Sequence, residues 1–284
     1  MRYSKRQSLR RDERAVTPAI STVILTSAVV VMILVAMSFA NNLLGSRMAE
    51  NEFSTNKQFM LTTGLQVDDV AWTIGRTQTV RYSSEYGNVQ FTNSATKYTF
   101  QVDTGSGLRT LFEQETGIIL FNIPVSSYSM GNNYFERISP SSSGSFLQFG
   151  PSAPATHVFC VEKLPMTDGS FTRIAAVPSI RMLNSTITGP QQITTNYFKL
   201  YMPFLQNGTH LYRSQSVTLS GDGITKVIES GVRQIHITVA FPKGSAGFDN
   251  SFFHFDDVSE TINLPSGSVV EFYLGKVLVT LGQA

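Results

Sequence analysis

The sequence predicts an α+β protein: one long N-terminal helix, transmembrane and then amphipathic, followed by an antiparallel β-rich, sandwich-like domain. Three observations predict it. Ala15 to Ser46 is a run of 32 residues without a charged side chain. Beyond it Phe53, Met60, Val67 and Ile74 recur every seven residues, the mark of an amphipathic helix. After Gly75 the pattern breaks into short segments rich in Val, Thr, Tyr and Phe, punctuated by turn residues, which is β patterning.

Charge divides the chain. Residues 1–14 (MRYSKRQSLRRDER) hold six Lys/Arg and two acids, a net +4. The remainder holds 16 basic and 18 acidic groups, a net −2. A basic cluster can bind nucleic acid, but this one abuts an apolar run, so a membrane reading is preferred and no nucleic-acid partner is expected. Ile20–Ala40 (ISTVILTSAVVVMILVAMSFA) is long enough to span a bilayer core, which takes about 20 apolar residues. Thr17 and Pro18 suit a helix start, because proline in the first turn loses no hydrogen bond the helix needs. The basic tail predicts a single pass with the N-terminus inside and the C-terminal domain extracellular. A cleaved secretory signal is the competing reading. Ser38-Phe39-Ala40 has the small-x-small form, but the apolar stretch exceeds the usual h-region.

Leu43–Ile74 contains no proline and two glycines, Gly45 at the end of the charge-free run and Gly64, where a bend is expected to be possible. One helix of about 50 to 58 residues is expected, stopping at Gly75, with Trp72 as the anchor between helix and sheet. The organisation expected is a basic cytoplasmic leader (1–15), a transmembrane or assembly helix (16–44), an amphipathic extension packed on the β domain (45–75) and a β-rich domain (76–284). Ser139–Ala155 (SPSSSGSFLQFGPSAPA) is a candidate subdivision point, read first as a long loop.

The segment Arg14-Ala15-Val16-Thr17-Pro18-Ala19-Ile20, followed by a Val/Ile/Leu run, resembles the N-terminus of archaeal type IV pilins, with their class III signal peptide. The likeness covers about 30 of 284 residues. Thr17 stands where serine is usual and Ala19 where valine is. Bacterial-type pilins carry a glutamate where this chain has Ile20. The resemblance implies cleavage by a prepilin-type peptidase around Arg14, Ala15 and Val16, with the Ala15–Val16 bond favoured. It also implies an assembly helix carrying Pro18, Ile20, Ile24, Val31 and Leu34, which packs in a filament core with other pilin-like subunits through the pilus assembly machinery. The length suits a minor or specialised subunit, with the β domain serving adhesion or surface contact. The alternative function is a membrane-anchored or secreted β domain that binds a glycan or a protein and enters no filament.

Candidate strands are Gln78–Tyr82, Asn88–Thr92, Lys97–Asp103, Gly117–Asn122, His157–Glu162, Phe171–Val177, Tyr197–Met202, Leu211–Leu219, Gly231–Phe241 and Val269–Leu281. Turns are expected at Glu85–Asn88, Thr104–Gly107, Ser220–Gly223 and Pro242–Gly244. Two Asn-x-Ser/Thr triplets, at Asn184 and Asn207, are candidate N-glycosylation sites on the predicted outer side.

No catalytic motif is found and no enzyme activity, cofactor or metal is expected. Cys160 is the one cysteine, so it forms no internal disulfide, and in the apolar HVFCV stretch it reads as a buried, inert thiol. Phe252–Asp257 (FFHFDD) sets His254 and Asp256 on one strand face, but an aromatic strand ending in an acidic turn is the simpler reading. His236 reads as a packed or edge residue. Asp68 and Asp69 diverge on a helix and read as a solvated pair near Arg76. The 20 Phe and 10 Tyr exceed what a small core needs, and aromatic side chains are favoured at interfaces.

Overall fold

The computed structural model describes residues 13–131, 134–162, 170–189, 194–210, 215–241 and 258–282, with backbone alone for 13–19 and 209–210. The Phe252–Asp257 constellation and the Pro242–Gly244 turn lie outside the described residues, and the expected strand Leu211–Leu219 lies partly outside them.

The first element is α1 (Glu13–Ala71), a single 59-residue helix. It begins upstream of the expected Thr17 start. Pro18 therefore falls inside the helix, where it leaves the Arg14 carbonyl without an intrahelical N–H. The chain divides into two compact units between Met48 and Ala49, within α1. In the first unit every side chain from Ile20 to Leu44 is exposed.

Among the described residues the second unit contains the rest of α1 and eleven strands: β1 (Thr77–Arg81), β2 (Asn88–Asp103), β3 (Leu108–Pro124), β4 (Phe135–Ser139), β5 (Leu147–Phe149), β6 (Thr156–Glu162), β7 (Phe171–Pro178), β8 (Ile180–Thr188), β9 (Thr194–His210), β10 (Ser216–Ala240) and β11 (Ser259–Leu281). They form one sheet in the order β4-β6-β7-β3-β2-β10-β11-β9-β8-β5, with β1 also on β10. The expected purely antiparallel arrangement is corrected on one point. β9 pairs with β11, and β5 with β8, in parallel. The β9–β11 pairing joins strands separated by the whole of β10, so no local turn signals it.

Both faces of the sheet are covered. On one face Tyr98, Phe100, Leu120, Phe159, Ile237 and Phe272 belong to a core drawn from strands along its whole width. Strands that do not pair with each other are also tied together: the Tyr98 hydroxyl of β2 donates to the Pro178 carbonyl of β7 at 2.6 Å, and the Leu205 N–H of β9 donates to the Thr116 hydroxyl of β3 at 2.8 Å. On the other face Phe53, Phe59, Met60, Val67 and Val70 of α1 pack against Ile119, Phe121, Cys160, Ile174, Val217 and Val279. Burying each large apolar side chain contributes about 1.5–3 kcal/mol. The heptad Phe53, Met60 and Val67 is thus the stripe that seats the helix. The same two-sided cover explains why HVFCV is apolar without alternation. Val158 and Cys160 face the helix side and Phe159 and Val161 the other, as expected of a strand buried on both faces.

At Gly64 α1 approaches β6 closely. A β-carbon there would stand 2.9 Å from Val158 Cγ2 and 3.0 Å from Thr156 Oγ1, and the Thr156 hydroxyl donates to the Gly64 carbonyl at 2.9 Å. The helix continues through this residue. Close approach is therefore the observed use of Gly64. Gly64→Leu is expected to destabilise the folded unit by about 1–3 kcal/mol through overpacking, read as a lowered urea midpoint. An unchanged midpoint would mean that α1 and β6 do not touch here.

The end of α1 rests on two further glycines. A β-carbon at Gly221 would lie 2.5 Å from the Thr73 carbonyl oxygen, and one at Gly275 would lie 2.6 Å from that of Ala71. The expected turn at Ser220–Gly223 is accordingly not a turn. It is a bulge inside β10, and its glycine serves backbone proximity. α1 ends at Ala71, short of the expected stop at Gly75, so Ile74 lies beyond the helix, 66% exposed, and is not part of the seating stripe. Gly75 has a φ of +80°, and its N–H donates to the Gly221 carbonyl at 2.8 Å, which delivers the chain into β1.

Asn88–Thr92 and Lys97–Asp103 are one strand, joined through a register shift between Thr92 and Thr96. Residues 139–155 carry β5 and bury Phe146 and Leu147. β4, β5 and β8 have no counterpart among the expected strands. β4 and β5 are short, and the alternation of β8 dissolves into Asn184-Ser185-Thr186.

Candidate anchoring and assembly surface

The strongest candidate site is the apolar surface of α1. Among the described residues α1 supplies the one helix long and apolar enough to cross a membrane. Ile20–Leu44 spans roughly 37 Å at 1.5 Å per residue, against a hydrocarbon core of about 30 Å. Ile20, Ile24, Val31 and Leu34 are 54–64% exposed. Exposed side chains surround the helix here, so this stretch buries nothing within its own unit. One of its hydroxyls is satisfied within the helix: that of Thr26 folds back onto the Thr22 and Val23 carbonyls at 2.9 and 3.0 Å. That keeps a donor out of hydrocarbon, where an unmet hydrogen bond is costly. Arg14, Ala15, Val16 and Pro18 are helical in backbone.

The later part of α1 is held by carboxylates as well as by its apolar stripe. Glu52 accepts hydrogen bonds from the Ser84 hydroxyl and the N–H groups of Glu85, Tyr86 and Gly87, clasping the β1–β2 turn. Lys57 donates to Glu136, which also accepts from the Tyr134 hydroxyl at 3.0 Å. The Lys57 hydrogen bond is the largest cause holding the Glu136 carboxyl below its ordinary value. Burial alone would push the Lys57 ammonium down, but bonding to Glu136 and the surrounding negative charge raise it.

Asp68 and Asp69 diverge. Asp68 accepts from Arg181 and from the Trp72 indole, both at 2.7 Å, and Asp69 pairs with Arg76 at 2.5 Å. Trp72 meets Tyr201 of β9 edge-on at 5.3 Å, which makes it the contact between helix end and sheet. Neither carboxylate is arranged for acid–base work.

Cys160 is buried, and burial pushes its thiol up to about 12, which makes it a poor nucleophile. His236 bonds the Thr261 and Thr238 hydroxyls at 2.7 and 3.2 Å. Among the described residues no group of three His, Cys, Asp or Glu side chains is placed to hold a metal. Asn184 is exposed on β8 and Asn207 on β9. Asn207 lies in the wall of a half-open polar cleft of about 320 Å³ with Asn93, Ser94, Gln114, Glu115 and Gln206.

Sequence reading takes Glu52 as one of the polar residues that mark the end of the span, and it identifies neither its hold on the β1–β2 turn nor Glu162 nor this cleft. Glu162 is buried and accepts from the Ser129 hydroxyl and the N–H groups of Met130 and Gly131. A carboxylate that caps a distant loop leaves no local signal, because its partners are backbone groups common to every sequence. None of the family models, curated proteins or solved structures compared with the chain matches it.

Proposed function

We propose that this chain is an archaeal type IV pilin-like subunit of a surface filament, of the minor or specialised kind, with a sandwich-like extracellular domain used for adhesion or surface contact. One observation carries the reading: a helical stretch of 25 residues, Ile20–Leu44, is exposed and apolar on all sides, while α1 continues into a folded β unit. Such a surface needs a nonaqueous environment, which a bilayer supplies before assembly and the same surface of neighbouring subunits supplies afterwards. Exchange of lipid for like helices costs little, because both are equally apolar.

The leader is cut by a prepilin-type peptidase at Ala15–Val16. Pro18 favours that position physically, since the carbonyl it leaves unpaired belongs to Arg14 and loosens the helix beside the scissile bond. The basic residues before the cut hold the N-terminus inside, and the β unit lies outside.

The mature N-terminus tests the reading. Intact-mass measurement on the chain from its native membranes should place the first residue at Val16. A start at Met1 would instead indicate a permanent anchor, and a start at Asn41 a secreted domain. Either would overturn the filament reading.

A further inference from the structure

The cleft at Asn207 has a chemistry of its own. Its walls are Asn93 and Ser94 of β2, Gln114 and Glu115 of β3, and Gln206 and Asn207 of β9. Every lining side chain is polar, no lysine or arginine is among them, and most are amides. A carboxamide offers donors and an acceptor from one planar group, which matches neighbouring hydroxyls on a sugar ring. The absence of a cation among the walls disfavours an anion. The volume stands at the lower end of small-molecule sites, about 300–1,000 Å³, and suits a few sugar rings.

The backbone around the cleft is irregular on both sides. Ser94 has a φ of 51° within the register shift of β2. That conformation is uncommon for a non-glycine residue and tends to cluster at binding sites. Across the cleft, the pairing of β9 with β8 ends at Tyr201. Gln206 and Asn207 then lie in register with Leu278 and Val279 of β11, just before a second register shift.

Asn207-Gly208-Thr209 is also an acceptor triplet for N-glycosylation. Asn184, the other acceptor asparagine, is exposed opposite Phe198 on β8–β9 and is not among the cleft walls. We propose that Asn207 carries an N-linked glycan whose first sugars lie in this cleft, held by Asn93, Gln114, Glu115 and Gln206. The inference rests on the placement of the β unit outside the cell. Gly208 is pressed against β11, where a β-carbon would stand 2.4 Å from Thr280 Oγ1.

The test uses the full chain from its native cells. Peptide mass spectra should show sugar increments on the Asn207 peptide that vanish in Asn207→Gln and persist in Asn184→Gln. Gln114→Ala/Gln206→Ala should lower the melting temperature of the glycosylated chain by roughly 3–6 °C and leave that of Asn207→Gln unchanged. An equal loss in both backgrounds overturns the cradle. Protease treatment of intact cells separates the two readings. If the β unit is cleaved and Asn207 is bare, the glycan proposal falls while the outside placement stands. If the β unit is protected, the placement falls and takes this inference with it.

Discussion

Val31→Asp/Leu34→Asp is expected to release the chain from membranes and abolish its surface display while leaving the folded β unit intact. Both positions lie near the middle of the exposed stretch Ile20–Leu44, where Val31 is 58% and Leu34 60% exposed. Neither fills a core, so no packing is lost inside the protein. On insertion scales an aspartate at the centre of a span costs about 2.5–3.5 kcal/mol, and an aliphatic residue gains a few tenths. The pair therefore costs roughly 6–8 kcal/mol in a bilayer. The same penalty applies if the stretch is packed among like helices, since a buried unpaired carboxylate is costly in any apolar setting. Membrane fractionation with surface labelling reads the result, and Leu34→Ile serves as the volume-conserving control. Retention of the double variant in the membrane, with display unchanged, would remove the basis for both anchoring and assembly.

The second large effect lies further along the same helix and has the opposite signature. Phe53→Ala is expected to cost about 3–5 kcal/mol of folding stability without altering membrane residence. Phe53 is 1% exposed in the core beneath α1. Its ring meets Tyr128 at 5.1 Å, and the Lys57 ammonium stands 5.7 Å from its centroid. Removal leaves a cavity between a helix and a sheet that are both held by other contacts, so little collapse is available to fill it. Urea unfolding of the detergent-solubilised chain should show a lower midpoint at an unchanged slope. A change below about 1 kcal/mol would mean that this turn of α1 is not seated on the sheet. Together the two variants separate the duties of one helix: Val31 and Leu34 act outside the fold and Phe53 within it.

The helix was legible because its signals are local. A charge-free run, a seven-residue apolar repeat and a glycine stop each depend on near neighbours, and together they bounded α1 to within a few residues. Its N-terminal limit was misplaced because Thr17-Pro18 has the chemistry of a start although helical backbone already runs from Glu13. Strands with clear alternation or a continuous apolar run, such as Gln234–Ala240 and His157–Val161, were legible for the same reason. Ser220–Gly223 misled because glycine marks turns and close backbone contacts alike. Only the presence of Thr73 beside Gly221 distinguishes them, and 147 residues separate the two in sequence.

The sequence by itself determined that this protein has one long apolar helix, a basic N-terminal tail and a β-rich remainder, because periodicity and charge are properties of adjacent residues. The tertiary structure alone decided that the strands form one mixed sheet with parallel β9–β11 pairing. It also decided that the helix continuation is fixed by Glu52, Lys57 and Asp68 through partners across the fold, and that Asn207 shares a polar cleft with β2 and β3. The physical reason is that strand pairing and charge partnership are set by which surfaces meet after collapse, and those surfaces come from residues far apart in the chain.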